Sequence, residues 1–201
     1  MNKKARAGLI ALSVLLCVLL AGCDEGYGYS GSSGSSRGSS SSYGTYGSYG
    51  SYGSSIKTNS SAVEEAKAYL RVMAFSYTGL IEQLEYEGFT HTQAQYGADH
   101  CGADWSEQAL RSAKSYLNSS AFSKKGLTEQ LEYEGFTHTQ AQYGVSRCGA
   151  DWNQQAVKSA QSYLRLTSLT WTKSKLIDQL EYEGFSYSEA KYGAEHCGKH
   201  W

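Results

Sequence analysis

The chain has 201 residues, 40% hydrophobic and 18% charged, with 18 Lys and Arg against 19 Asp and Glu. That balance excludes the strongly basic surface with which a nucleic-acid binder neutralises phosphates. With 22 Gly and 0 Pro, glycine caps rather than proline breaks must punctuate the secondary structure.

Lys3, Lys4 and Arg6 form a basic start, and an apolar run of 14 residues, Ala7–Leu20, follows. A bilayer-spanning helix needs roughly 20 residues, so residues 1–22 read as a signal peptide. The run ends in Leu20-Ala21-Gly22-Cys23, an aliphatic residue and two small ones before cysteine. This resembles a bacterial lipobox, which implies cleavage before Cys23 and acylation of its thiol and new amino group. Several acyl chains on one residue anchor stably where a single chain binds only marginally. The expectation is a lipid-anchored protein at the cell membrane, facing outside the cytoplasm, with lipidation at Cys23.

Residues 23–61 begin with that cysteine and continue as Gly, Ser and Tyr, in runs such as Tyr43-Gly44-Thr45-Tyr46. Nothing there has apolar periodicity, so ordering the segment would not be offset by burial. It is expected to be a disordered tether with a reach of roughly 30–35 Å.

The remainder repeats. Gln83-Leu84-Glu85-Tyr86-Glu87-Gly88-Phe89 returns unchanged at 130–136 and 179–185, spacings of 47 and 49 residues. Phe75, Phe122 and Trp171 precede the string, and Tyr96, Tyr143 and Tyr192 follow it. Cys101, Cys148 and Cys197 come next, and Trp105, Trp152 and Trp201 close the units. A fixed period in this range marks an array of stacked units, each expected to be too small to bury a core alone. The units are 62–105, 109–152 and 156–201.

Within a unit the pattern predicts three short helices. Val63, Ala66, Leu70 and Met73 have helical spacing over 62–74, and the chain breaks near Phe75-Ser76. Leu80, Ile81 and Leu84 share a face of the second segment, which Gly88 ends as a left-handed cap with Phe89 packing back. Thr90 with Gln93 has capping-box spacing, as do Thr137 with Gln140 and Ser186 with Glu189. The third helix should stop at Gly102, and Asp104 with Glu107 and Asp151 with Gln154 should cap the next first helix. Trp201 is expected to complete the core of the third unit. The fold class is all-α: three tandem, helix-turn-helix-like three-helix repeats of about 47 residues behind the tether.

The chain resembles the Ltp-like host cell surface-exposed lipoproteins of phages and bacteria. The residues that carry the resemblance are Phe122-Ser123, Leu127 through Thr137, Ala141-Gln142-Tyr143-Gly144 and Cys148 through Trp152, with their counterparts in the flanking units. The third unit departs at Lys199-His200-Trp201. The resemblance implies small helical repeats displayed at the cell surface. In phage-encoded members it implies superinfection exclusion, with an acidic repeat surface engaging a basic protein of the injection machinery. A resident bacterial surface module that contacts the cell wall or other cells fits the same residues.

Charge locates the acidic surface. Residues 62–105 hold seven acids and two bases, whereas 109–152 and 156–201 each carry one excess base. Glu82, Glu85, Glu87, Asp99 and Asp104 of the first unit are the expected protein-binding residues, by attraction of a basic partner. Other chemistries are not expected. His100-Cys101 and His196-Cys197 do not recur as a metal set, because the second unit has Arg147-Cys148. No nucleophile–base pair recurs, and His91 and His138 become Tyr187 in the third copy. Neither a catalytic residue, a cofactor, a small-molecule substrate nor nucleic acid is therefore expected. Cys101, Cys148 and Cys197 occupy equivalent places in successive units, too far apart for a bridge within the chain, and are expected to be unpaired and mostly buried, with an intermolecular bridge as the alternative.

Overall fold

The computed structural model describes residues 57–166 and 170–201. The signal peptide, Cys23 and almost all of the tether lie outside the described residues. Among the described residues there are nine helices and no strands: α1 (Asn59–Val72), α2 (Tyr77–Tyr86), α3 (His91–His100), α4 (Trp105–Ser119), α5 (Lys124–Tyr133), α6 (His138–Arg147), α7 (Trp152–Leu166), α8 (Lys173–Tyr182) and α9 (Tyr187–His196). None of them is long and apolar enough to cross a membrane.

Each unit is one long helix followed by two of 10 residues, and the third helix packs against both others. Local chemistry sets the boundaries. Ser76, Ser123 and Thr172 cap the second helices, accepting from the amides of Gly79, Gly126 and Lys175 at 3.0, 2.9 and 3.3 Å. Those helices end alike: Gly88 stands at φ +94°, its amide bonds Glu85, and the Phe89 amide reaches back to Leu84 at 3.1 Å. The capping boxes at Thr90, Thr137 and Ser186 are all formed. Asp104 accepts from the Ser106 and Glu107 amides, and Asp151 from those of Asn153 and Gln154. The first helix begins at Asn59, earlier than its apolar stripe, because Thr58 and Ser61 form a capping box ahead of it.

The cores do not merge. Leu80 and Leu84 close one with Ala62, Ala66 and Ala94. Leu127 and Leu131 close a second, and Leu176 and Leu180 a third. All six leucines are fully buried. Each unit therefore has its own core, contrary to the expectation of a shared one. Small residues make this possible: a Cβ on Gly97, Gly144 or Gly193 would stand 2.7–2.8 Å from a backbone oxygen of the unit's first helix. The first and third helices can then approach closely enough for a small set of side chains to fill the space between them. Trp201 also differs from expectation, remaining 44% exposed with its indole donating to the Ala194 carbonyl. Trp105 and Trp152 each begin a helix that holds the ring against the preceding core, whereas no helix begins at Trp201.

Polar contacts join the units instead. Ser76, while capping α2, donates to the Glu134 carbonyl at the end of α5 at 2.6 Å. Ser123 does the same to Glu183 at the end of α8, also at 2.6 Å. The second helices are thus laid head to tail, each positive amino end on the negative carboxyl end of the next. At the first junction Arg111 adds a bond to the Leu70 carbonyl at 2.7 Å and also bonds Gln108 of its own helix at 3.2 Å. Lys158 replaces it at the second, and the buried oxygen of Gln155 has no partner among the described residues.

Candidate functional site

Head-to-tail stacking leaves a groove beside the second junction. Between the second and third units it encloses about 980 Å³ and is lined by α5, α6 and the turn from Gly184 to Ser186. Lys124, Lys125 and Arg147 line it together with Glu129, Glu132 and Glu189. Lys125 lies 3.8 Å from Glu129, Glu132 bonds His138, and Arg147 stacks 4.0 Å over the Tyr143 ring. This groove is balanced in charge.

The equivalent positions between the first and second units read differently. There Tyr77, Thr78 and His100 replace the three cations, while Glu82, Glu85 and Asp99 stand at the places of Glu129, Glu132 and Ser146. The Tyr77 hydroxyl donates to Asp99 at 2.7 Å, and His91 lies 2.6 Å from Glu85. No Lys or Arg occupies any of the lining positions, so this face carries three carboxylates against histidines alone.

Of the five acids singled out from sequence, the structure thus brings Glu82, Glu85 and Asp99 onto one face. Glu87 lies on the other side of α2, accepting from the Tyr69 hydroxyl at 2.7 Å and from Gln83 at 3.2 Å. Asp104 caps α4. Tyr77 and His91 belong to the face as well. Sequence reading passed over them because their partners lie 22 and 6 residues away. Tyr86, Tyr133 and Tyr182, between the repeated glutamates, are exposed in all three units.

The counterparts of Glu87 are drawn into the protein. Glu134 accepts from the Tyr116 hydroxyl and from Ser112 at 3.1 Å, and Glu183 is held likewise by Tyr163 and Ser159. Burial is the largest influence on Glu134 and pushes its carboxyl above the ordinary range, although both donors pull it down. Burial, and then the glutamate partner, push the hydroxyls of Tyr69 and Tyr163 up to about 12. A carboxyl whose pKa is raised on folding binds protons more tightly in the native state. The contribution of Glu134 to stability therefore falls as pH rises from 4.5 through its folded value, and returns on acidification. Urea titrations across that window should show this slope in the native sequence and lose it in Glu134→Gln, which keeps the shape but does not ionise.

The three thiols are free, each donating to the carbonyl three residues before it, with Cys101 and Cys197 buried and Cys148 partly so. Among the described residues no group of three potential metal ligands comes together.

An array of separately cored helical units, joined by hydroxyl-to-carbonyl bonds, defines a helical repeat protein. The sequence model of the host cell surface-exposed lipoprotein family, Ltp, matches the chain three times, over 57–101, 104–147 and 151–197. The chain belongs to that family, and its class is a cell-surface lipoprotein. No curated protein and no solved structure matches it.

Proposed function

We propose that this surface lipoprotein excludes superinfecting phages. Held to the membrane through lipid on Cys23, it binds a basic protein of the injection machinery, so that a later phage adsorbs but its DNA does not enter. The observation that carries the reading is the acidic face of the first unit. Glu82, Glu85 and Asp99 stand there without the three cations, Lys124, Lys125 and Arg147, that balance the acids of the next groove. Such a face raises the rate of encounter with a basic partner and discriminates against acidic ones. Glu87 and Asp104 support the fold beside that face, through Tyr69 and the α4 amides. Short units stiffened by capped helices suit a display role.

The test is challenge of a sensitive host with and without the gene, scoring adsorption and DNA entry separately. Normal adsorption with blocked entry is expected. Unhindered entry across a broad phage panel would overturn the reading and leave a resident module that contacts the wall or other cells, for which binding to isolated cell walls is the assay.

A further inference from the structure

The junction between units is an interaction surface that any further unit of this design could use, provided that the two faces match. Its requirements can be read from the two copies present. The donor face offers a capping hydroxyl, Ser76 or Ser123, followed three residues later by glycine, Gly79 or Gly126. A Cβ on those glycines would lie 3.6 and 3.4 Å from the carbonyl of the neighbouring unit, so alanine would just touch it and anything longer would enter the junction. The acceptor face offers the carboxyl end of a second helix, with Arg111 or Lys158 at the adjoining position of the long helix.

Both outer faces of the array break these requirements. At the donor face of the third unit Thr172 keeps the cap, but position 175 is lysine where the two joined units have glycine. Lys175 is exposed, and it takes the place of Gly79 and Gly126, where a Cβ already lies 3.6 and 3.4 Å from the neighbouring carbonyl. At the acceptor face of the first unit Glu64 takes the place of Arg111 and Lys158, so a carboxylate faces the spot from which Arg111 grips the carbonyl of Leu70. Neither change is needed by the unit that carries it. With Lys175 the Thr172 cap bond still forms, at 3.3 Å, and Glu64 pairs with Lys67 at 3.1 Å.

We propose that Lys175 and Glu64 close the array at both faces, so that a second copy of this chain, whose ends would otherwise join head to tail, is refused. Heterologous interfaces that do not close into a ring propagate into open filaments, and repeat arrays require altered outer units to stay soluble. For a protein crowded on a membrane surface, end-to-end joining would bury the same acceptor end of α2 that borders the acidic face.

Sedimentation of the full chain in neutral detergent tests this. The native protein is expected to stay at the mass of one chain over the concentration range. Glu64→Arg/Lys175→Gly should associate, its average mass rising about twofold or more with concentration. A native protein that itself associates through these faces overturns the proposal, as does a double variant of native helical content that stays monomeric. The reciprocal substitution supplies an independent reading. Gly126→Lys places the same residue at an internal junction, in a helix position that Lys175 shows to be tolerated. It should free the third unit from the second, visible as a larger radius in solution scattering at unchanged helicity. An unchanged radius in Gly126→Lys would equally overturn the proposal.

Discussion

Gly144→Ala is expected to destabilise the second unit by about 2 kcal/mol, although alanine is the better helix former. Two effects oppose each other. Relief of glycine's backbone entropy favours alanine by about 1 kcal/mol in a helix interior. Against it, the added Cβ would lie 2.7 Å from both the carbonyl carbon and the oxygen of Ala109. Those are backbone atoms of a long helix, and no rotamer can move them aside. Overpacking in such a site costs about 3 kcal/mol, at the upper end of its usual range, so the clash wins. Gly97 and Gly193 meet Ala62 and Ala156 in the same way and should respond alike. Denaturant unfolding of the three single variants measures this, and a stabilised Gly144→Ala would contradict the close approach of α4 and α6.

The larger effect is expected from Leu131→Ala, and its form matters more than its size. Truncating a fully buried leucine costs about 2–5 kcal/mol. A unit of this length has about 2–7 kcal/mol of stability to lose. The substitution is therefore comparable to the whole stability of the second unit. Because Leu131 packs only within its own core, the loss should fall on that unit alone. Hydrogen exchange should show α4, α5 and α6 opening while α1–α3 and α7–α9 stay protected, and the helical signal should drop by one unit's share. A single transition that melts all three units together would show that the hydroxyl-to-carbonyl junctions couple them more strongly than separate cores suggest.

Much of this architecture is legible in the residues. The Gly88, Gly135 and Gly184 caps, the boxes at Thr90, Thr137 and Ser186, and the aspartate caps of the long helices all follow from side chains that act on backbone within four residues. Short-range chemistry of this kind is written in the sequence directly. The start of α1 was less visible, since Ser61 does in its capping box what glutamate or glutamine usually does. What escaped reading altogether was the junction. Ser76 and Glu134 are 58 residues apart, and the bond uses a hydroxyl already committed to a local cap. A sequence period predicts stacking, but does not say whether neighbours share a core or merely touch. The answer came from the small residues: with Ala62, Ala94 and Gly97 and their counterparts, each unit fills its own interior.

The candidate face was half legible for a related reason. Net charge identifies the first unit as acidic, and five of its seven carboxylates are candidates from sequence. Only the geometry distinguishes Glu82, Glu85 and Asp99 from Glu87, which bonds Tyr69, and from Asp104, which caps a helix. Residues Glu85 and Glu87 are two apart on a helix and so point to different sides. The groove itself exists because two units meet, and no single stretch of sequence contains it.

Phage DNA entry into cells displaying Glu82→Lys/Glu85→Lys/Asp99→Lys tests the central claim most directly. These side chains lie on the outer face and in no core, so helical content and surface display should match those of the native protein. If the acidic face engages a basic protein of the injection machinery, DNA entry and plating efficiency should return to those of a host lacking the gene, with adsorption unchanged. Entry that stays blocked in cells displaying the folded variant would contradict the account and place the contact on another face of the array.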